Sequence, residues 1–524
     1  MSFQKTLTLP GAICTSLGCM IGSGWLFASF VSMQYAGPAA IISWLIGGLL
    51  IIFIALTFAE ISTMFPAAGG IARYAQITYG STTSFIVSWL AWISSASAAP
   101  SEVQATVIYL SHYIKDLVLI NSPTPTLTLK GILISYVLLL IFTIINLFGL
   151  KLVTKFNNLL VFWKVFIPIL ISLTLATNQL HFENLYSVHG FAPYGLKGIL
   201  MAVSTIIVFS YLGFREVTSL GSEIQNPQKT LPYAVVGSVV FAMFFYVFLQ
   251  ICFIISLPNN LIVSGWQIDG LNFSSPVLDL AITLGFGWVA QIVYLDALIT
   301  PSSTALIFIT TSSRLNYAIS KNVQAPRILS FLNQYGVPSV AIIFNFLVGA
   351  LLLSFFPSWQ LLVKFQTTAI LFAYTIGPLS LMAMRHLFPD QVRPFKLSGH
   401  LIICSLAFYS CTLLIFWTGW DVVSLMSLVS LIGYGLFILF RIFTTQNKPD
   451  LHFNQALWIP IYIVGLSVLS YFGSYGGKEY ISIGYDLLYL FVFSLIIILV
   501  SNKCKLSQAE ALIQTKLCHT PVDA

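Results

Sequence analysis

The chain reads as an all-α protein that crosses a lipid bilayer many times, and three observations predict this. Apolar residues make up 58% of it and charged residues only 7%, with a mean hydropathy of +0.92; a soluble domain carries roughly 25% charged residues and needs far more polar surface than this. Apolar runs of about 20 residues, enough to cross a bilayer, recur along the whole chain. Two of those runs are interrupted by glycine, each at the head of a block of about five crossings.

Taken in order, the runs fall at 8–32, 37–64, 83–112, 132–150, 158–177, 198–222, 232–256, 279–312, 337–357, 361–386, 399–419, 421–443, 456–472 and 485–500. The 456–472 run is short enough to lie at the interface, so the expectation is twelve to fourteen spans. The first run is too long for the roughly 7–15-residue core of a signal peptide and is read as a retained span. The loops are short and hold no soluble domain. The segment beyond about 500 reads as a short polar tail, mobile in the manner of termini.

Basic residues give the expected orientation. With the first residue inside, sixteen Lys and Arg fall on the inner side. Only Lys115, Lys130, Lys197 and Lys478 fall outside, while Lys164, Arg215 and Lys364 lie within spans. That bias places both termini in the cytoplasm of a cell membrane, and it accounts for the formal net charge of +7 without an acidic partner. The seven cysteines form no CxxC pair and lie mostly in apolar spans, so neither a disulfide framework nor a metal site is expected. No cofactor is expected. Without a basic tract or a phosphate-binding glycine loop, nucleic acid and nucleotides are excluded as partners.

The first interruption reads Gly18-Cys19-Met20-Ile21-Gly22-Ser23-Gly24. Glycine does not resist unwinding, and a serine hydroxyl can satisfy freed backbone groups. An unwound turn exposes N–H donors at the start of the outer half-helix, and such a positive dipole end suits a carboxylate. Gly18 and Gly22 are also spaced as GxxxG, so a helix-packing face is the competing reading. The matching interruption, Phe209-Ser210-Tyr211-Leu212-Gly213-Phe214, favours a midplane binding site. Its freed carbonyls could accept hydrogen bonds from an ammonium group.

Further blocks complete a pattern. Ala59-Glu60-Ile61 is followed by Pro66-Ala67-Ala68-Gly69-Gly70. Glu223-Ile224-Gln225-Asn226-Pro227-Gln228-Lys229-Thr230-Leu231-Pro232 follows the second interruption. Ser313-Arg314-Leu315-Asn316-Tyr317-Ala318, Gly336-Val337-Pro338 and Arg393-Pro394-Phe395-Lys396 come later. In order and spacing these resemble the amino acid–polyamine–organocation (APC) superfamily of permeases, with its GxxIGSGIF, AE…P…GG and EExxNPxRxxP motifs, over about residues 8–400.

That resemblance implies the 5+5 inverted-repeat fold first seen in a bacterial leucine transporter. Residues 1–180 would form one repeat, 190–390 the other, 395–500 additional spans and 501–524 a cytoplasmic tail. It also implies that Ile21, Gly22, Ser23 and Gly24 hold a substrate carboxylate. Phe209, Ser210, Tyr211 and Gly213 would hold the amine and gate the site. Ordinary packing is the competing reading for Tyr211.

The chain departs from the family pattern twice. Trp25 replaces a smaller aliphatic residue and narrows the expected pocket. Arg215 stands where the family more often has an acidic residue. An intramembrane arginine is normally paired or functional, and Glu216 and Glu60 are its candidate partners. It serves either specificity or an internal ion pair.

Three more ionisable residues fall within spans. Lys164 lies in the fifth, either snorkelling to the interface or functional. In similar permeases a lysine here takes the place of a sodium ion, which suggests proton coupling, because a desolvated lysine can release its proton. Asp296, in the eighth span, could relay protons or pair with a cation. Ser302, Ser303 and Thr304 follow it but serve equally as helix-packing hydroxyls, so no sodium site is expected. Glu102, beside Pro100, faces the central cavity or simply flanks a kink.

The expected function is secondary active amino acid transport by alternating access, with proton-coupled uptake. Amino acid exchange is the close alternative. A membrane enzyme finds no HExxH, GxSxG or dense His/Asp motif here. A channel or sensor is the other distant alternative: a sensor would append a signalling domain, and accumulation against a gradient would exclude a channel. The fourteen runs, the Gly22-Ser23-Gly24-Trp25 variant and Arg215 resemble a proton–aspartate symporter subgroup, and a cationic site suits an acidic side chain. Neutral amino acids remain the alternative substrates.

Overall fold

The computed structural model describes residues 7–66, 70–119, 124–148, 150–178, 180–186, 189–221, 224–263, 265–266, 273–443 and 451–519. Of the residues singled out above, Ala67, Ala68, Gly69 and Glu223 lie outside the described residues, and so do Lys5 and Lys448, two of the sixteen Lys and Arg counted on the inner side. The chain is helical almost throughout, as its apolar runs require of a backbone that has no water to bond.

The first predicted span is two helices, α1 (Leu9–Met20) and α2 (Gly24–Ala36). Thr8 caps α1, accepting from the N–H of Gly11, and Pro10 sits in its first turn. After a 3-10 turn at Gly37–Ala39, α3 (Ala40–Met64) runs back. α4 (Ile71–Leu110) is two helices joined at Gly80, whose φ of 78° is a left-handed conformation that glycine alone adopts freely. A short antiparallel hairpin, β1 (Val118–Leu119) and β2 (Thr126–Leu127), precedes α5 (Leu129–Leu147) and α6 (Leu150–Asn178).

The sixth predicted span is again broken. α7 (Gly195–Ala202) passes through a π-helical turn at Val203–Ile207 into α8 (Val208–Tyr211), and α9 (Glu216–Ser219) resumes beyond a gap. Then come α10 (Pro227–Ile255), α11 (Pro276–Thr283), α12 (Gly287–Lys321) and α13 (Ser339–Phe355). α14 (Trp359–Tyr374) and α15 (Ile376–Leu387) make one bent segment. The chain closes with α16 (His400–Phe416), α17 (Trp420–Phe443), α18 (Phe453–Ala456), α19 (Trp458–Phe472), α20 (Tyr485–Cys504) and α21 (Gln508–His519).

By length and composition, ten segments among the described residues can cross a membrane. Three shorter apolar helices, α1, α13 and α16, accompany them. The protein is therefore an all-helical, multi-pass membrane protein. α4 is not one of the ten, because its middle is rich in serine and alanine; burial along nearly its whole length compensates. It packs along α12 and α14, while α3 packs along α10 and α16.

Two boundaries differ from the sequence expectation. The run at 279–312 is not one helix: Gly285, at φ 78°, separates α11 from α12. Hydropathy cannot register that turn, since the residues around it are apolar. The tail beyond 500 is not a free polar segment either. Leu506 and Ala511 are buried, the Leu506 N–H donates to Thr78 O at 2.9 Å, and Gln76 Nε2 donates to Gln514 Oε1 at 2.8 Å. The tail docks as α21 against the first turns of α4.

Candidate functional site

α1 stops at Met20 because Ile21 turns to extended backbone (φ −93°, ψ 90°). Helix geometry resumes at Gly24, and the unwound turn leaves carbonyls on one side and donors on the other. Each has a specific partner. Lys164 Nζ donates to Gly18 O and to Thr304 Oγ1, both at 2.7 Å. Thr304 Oγ1 also lies 3.2 Å from Gly18 O and 3.3 Å from Ile21 O. The Tyr246 hydroxyl donates to Met20 O at 3.0 Å. On the donor side, the N–H of Ser23 reaches Glu102 Oε2 at 2.7 Å.

Gly22 and Gly24 are glycine for reasons of space. A Cβ on Gly22 would lie 2.6 Å from Glu102 Oε1, and one on Gly24 would lie 2.7 Å from Ser210 Oγ. The second interruption is held likewise. Leu212 is extended (φ −67°, ψ 151°) and Gly213 has φ 110°. A Cβ on Gly213 would lie 2.7 Å from Cys19 Cβ and 2.8 Å from the Cys19 carbonyl carbon. The two breaks therefore touch each other, Gly24 against Ser210 and Gly213 against Cys19. The helix is interrupted at the first break, and Gly22, the second glycine of the GxxxG spacing, packs against Glu102.

Aromatic rings close over this junction. Trp359 stacks on Phe27 with centroids 4.3 Å apart and meets Phe209 edge-on at 5.8 Å. Its Nε1 donates to Ser23 Oγ at 3.2 Å. Ile21, Ser23, Glu102 and Lys164 are all within 2% of full burial, so this state is closed to solvent.

Asp296 is fully buried and accepts three hydrogen bonds: from Trp25 Nε1 at 2.9 Å, Trp163 Nε1 at 2.7 Å and Thr300 Oγ1 at 2.7 Å. Trp25, the residue that departs from the family pattern, is thus the indole that ties α2 to α12. Glu102 and Asp296 both lie within electrostatic reach of Lys164. Lys164 does not snorkel; it is spent on the backbone of the break.

The remaining residues fall elsewhere. Tyr211 points away from the break, its hydroxyl donating to Trp44 O at 2.9 Å and its ring packed against Trp44 and Tyr246. In this state its ring and hydroxyl are both engaged in packing contacts. Arg215 is ion-paired with Glu216. Glu60 is not its partner: it accepts from Arg385 Nε at 2.9 Å and Nη2 at 2.8 Å and from the Leu397 N–H at 2.8 Å, with Arg393 Nε at 3.9 Å. The α3 carboxylate therefore ties to Arg385 of α15 and to the Leu397 backbone, with Arg393 at the edge of the cluster.

Sequence reasoning missed Trp359, Tyr246 and Trp163. A lone aromatic in an apolar run looks like any other packing residue, and only the facing backbone reveals what its polar atom does.

The amino acid permease family model matches residues 11–475. The glutamate/serine transporter AimA of Bacillus subtilis (strain 168) is 37% identical over 487 residues, covering 92% of this chain and 90% of that protein. The aspartate-proton symporter of the same organism is 33% identical over 503 residues, covering 95% and 96%. The branched-chain amino acid permease BcaP, also from Bacillus subtilis, is 25% identical over 444 residues, covering 83% and 91%.

Proposed function

The chain belongs to the amino acid permease family, a family of membrane transporters, and we propose that it performs proton-coupled amino acid uptake by alternating access at the two touching breaks. The reading takes residues 1–180 and 190–390 as two inverted repeats and 395–500 as additional spans, with both termini in the cytoplasm. Glutamate, aspartate and serine are the substrates to test first, because two similar proteins are named for them.

One observation carries the coupling. The Ser23 N–H, the donor that an amino acid's carboxylate would seek, is held by the protein's own Glu102 carboxylate. Two anions cannot share that donor at close range without like-charge repulsion. Protonating Glu102 removes its negative charge and weakens its hold. The substrate carboxylate then takes the N–H, and proton and substrate load together. Emptying the site restores the internal carboxylate once its proton has left. Lys164, pinned to Gly18 O and Thr304 Oγ1, ties α1 to α6 and α12 and is the second buried charge of the coupling: the field it sets at Glu102 decides when that carboxylate takes or releases its proton.

The test is uptake into proteoliposomes with labelled glutamate, aspartate and serine. Accumulation above equilibrium under an inside-alkaline gradient, abolished by a protonophore, supports coupling. Counterflow without accumulation under any proton gradient identifies an exchanger instead.

A further inference from the structure

A cavity of about 560 Å³ lies between α17 and α19, and none of its lining belongs to the breaks. The lining runs from Trp420 to Tyr434 on α17 and from Leu457 to Tyr471 on α19, fourteen residues of rise on each helix. At about 1.5 Å per residue the groove is roughly 21 Å long, most of the ~30 Å hydrocarbon core of a bilayer. One end is closed by Trp420 and Tyr471, whose rings lie 5.2 Å apart, and the other by Tyr434 and Phe453.

The floor offers nothing to a polar solute. Ser427 Oγ donates to Val423 O at 2.9 Å and lies 2.9 Å from Ser467 Oγ, and Ser430 Oγ donates to Met426 O at 2.8 Å. The hydroxyls are thus spent within the protein, and no lining side chain carries a charge. Such a floor favours an occupant that is apolar along its length. Leu431 and Val464 form the rim and are 66% and 61% exposed, so the groove opens sideways onto the face that the bilayer covers. Spread over its length, the volume is a cross-section of roughly 27 Å². A hydrocarbon chain is that slender; an α-helix, about 10–12 Å across with its side chains, is not.

Only the Trp420–Tyr471 end carries charge of both signs free to act. The Lys478 N–H donates to Tyr471 O at 2.7 Å, and its exposed Nζ stands 5.9 Å from the centre of the Tyr471 ring. Asp421 follows Trp420 and is exposed too. Among the described residues neither Lys478 nor Asp421 has an ion-pair partner, whereas the neighbouring Glu479 is paired with Lys197 at 3.3 Å. A cation and a carboxylate therefore flank one mouth of an apolar slot. That pattern complements a zwitterion with a phosphate and a primary ammonium group on a hydrocarbon chain.

We infer that the α17–α19 groove is a binding site for an aminophospholipid, with one acyl chain along the slot, the phosphate at Lys478 and the ammonium group at Asp421. The site goes beyond the transport reading and has a structural consequence. Trp89 Nε1 donates to Val429 O at 3.0 Å, and a Cβ on Gly433 would lie 2.6 Å from Trp89 Cδ1, so α17 is seated on α4. A chain in the groove braces α19 against that seat.

The test is native mass spectrometry and melting of the full-length protein, stripped of lipid in detergent. It is titrated with dioleoyl phosphatidylethanolamine, phosphatidylcholine or phosphatidylglycerol, which share their chains and differ in headgroup. The expected result is one phosphatidylethanolamine retained per chain with raised melting, the other two binding about two- to fivefold more weakly, as exposed charge pairs allow. Lys478→Gln and Asp421→Asn each erase that preference. Val464→Trp and Leu431→Trp fill the slot from opposite walls and abolish retention; with two of them, one that misfolds leaves the other to read. Equal binding of the three lipids to wild type, no retained lipid, or retention that survives the tryptophans each overturns the site. A dimer that the tryptophans dissociate overturns it as well, assigning the groove to a second copy. Uptake enters none of these readouts, so the transport reading stands or falls separately.

Discussion

Replacing Glu102 by glutamine separates the two jobs given to that residue. The amide is nearly isosteric and its oxygen still faces the Ser23 N–H, now 2.7 Å from Glu102 Oε2, so the start of α2 stays satisfied. Only the charge goes. A hydrogen bond to a charged group contributes about 1.5–3 kcal/mol and a neutral one about 0.5–1.5 kcal/mol, so the internal competitor weakens by roughly 1–2 kcal/mol. A substrate carboxylate displacing it should bind about 5–30-fold more tightly. The wild-type protein should bind substrate more weakly as pH rises, because deprotonated Glu102 competes for the donor. The variant should bind with no such dependence, and its proton-driven accumulation should be lost. Equilibrium binding of labelled substrate in detergent at two pH values, with uptake measured in parallel, reads all three. A variant that keeps the wild-type pH dependence, or that binds more weakly while still accumulating substrate, refutes the competition.

Arg385→Ala should strip Glu60, which is fully buried, of two charge-assisted bonds; breaking a buried pair costs about 3–5 kcal/mol, so melting in detergent should fall sharply, and Glu60→Gln in the same chain should restore part of it. Gly213→Ala should disable transport, with a backbone cost of about 1–3 kcal/mol. Cys19→Gly should not rescue it, because the new Cβ also meets the Cys19 carbonyl carbon at 2.8 Å. Asp279, on the short α11 outside the spans, accepts from the Ser275 N–H at 2.8 Å, yet burial pushes its carboxyl up to about 6. The folded state then holds a proton that the unfolded state has released, so stability falls as pH rises between about 4 and 6. Asp279→Asn should flatten that window in pH-dependent melting and add on the order of 3 kcal/mol at neutral pH.

The parts of this molecule legible in sequence are those whose signal is local. Gly22 and Gly213 announce unwound turns because a side chain there has no room. Lys164 announces a function because an intramembrane charge has few inexpensive fates. What stayed hidden depends on partners far apart in the chain. Trp25 and Asp296 are separated by 271 positions, and nothing near either one foretells their bond. Glu60 looked like a partner for Arg215 because both are charges near spans; the fold gives it Arg385, 325 positions away. Tyr211 matched a gating position by family pattern, but its hydroxyl found the Trp44 carbonyl. The tail reads as polar because its residues are mostly polar, and its docking involves a Gln76–Gln514 bond across 438 positions that no local pattern foretells.

The central claim is that buried charge at the first break couples proton movement to substrate, and Lys164→Gln tests it most directly. The variant is reconstituted and assayed twice, for counterflow without a gradient and for uptake driven by an inside-alkaline gradient. Retained counterflow with lost pH-driven accumulation is the predicted result, since the site still binds and moves substrate but no longer answers to protons. Intact pH-driven uptake in the variant would contradict the role of Lys164.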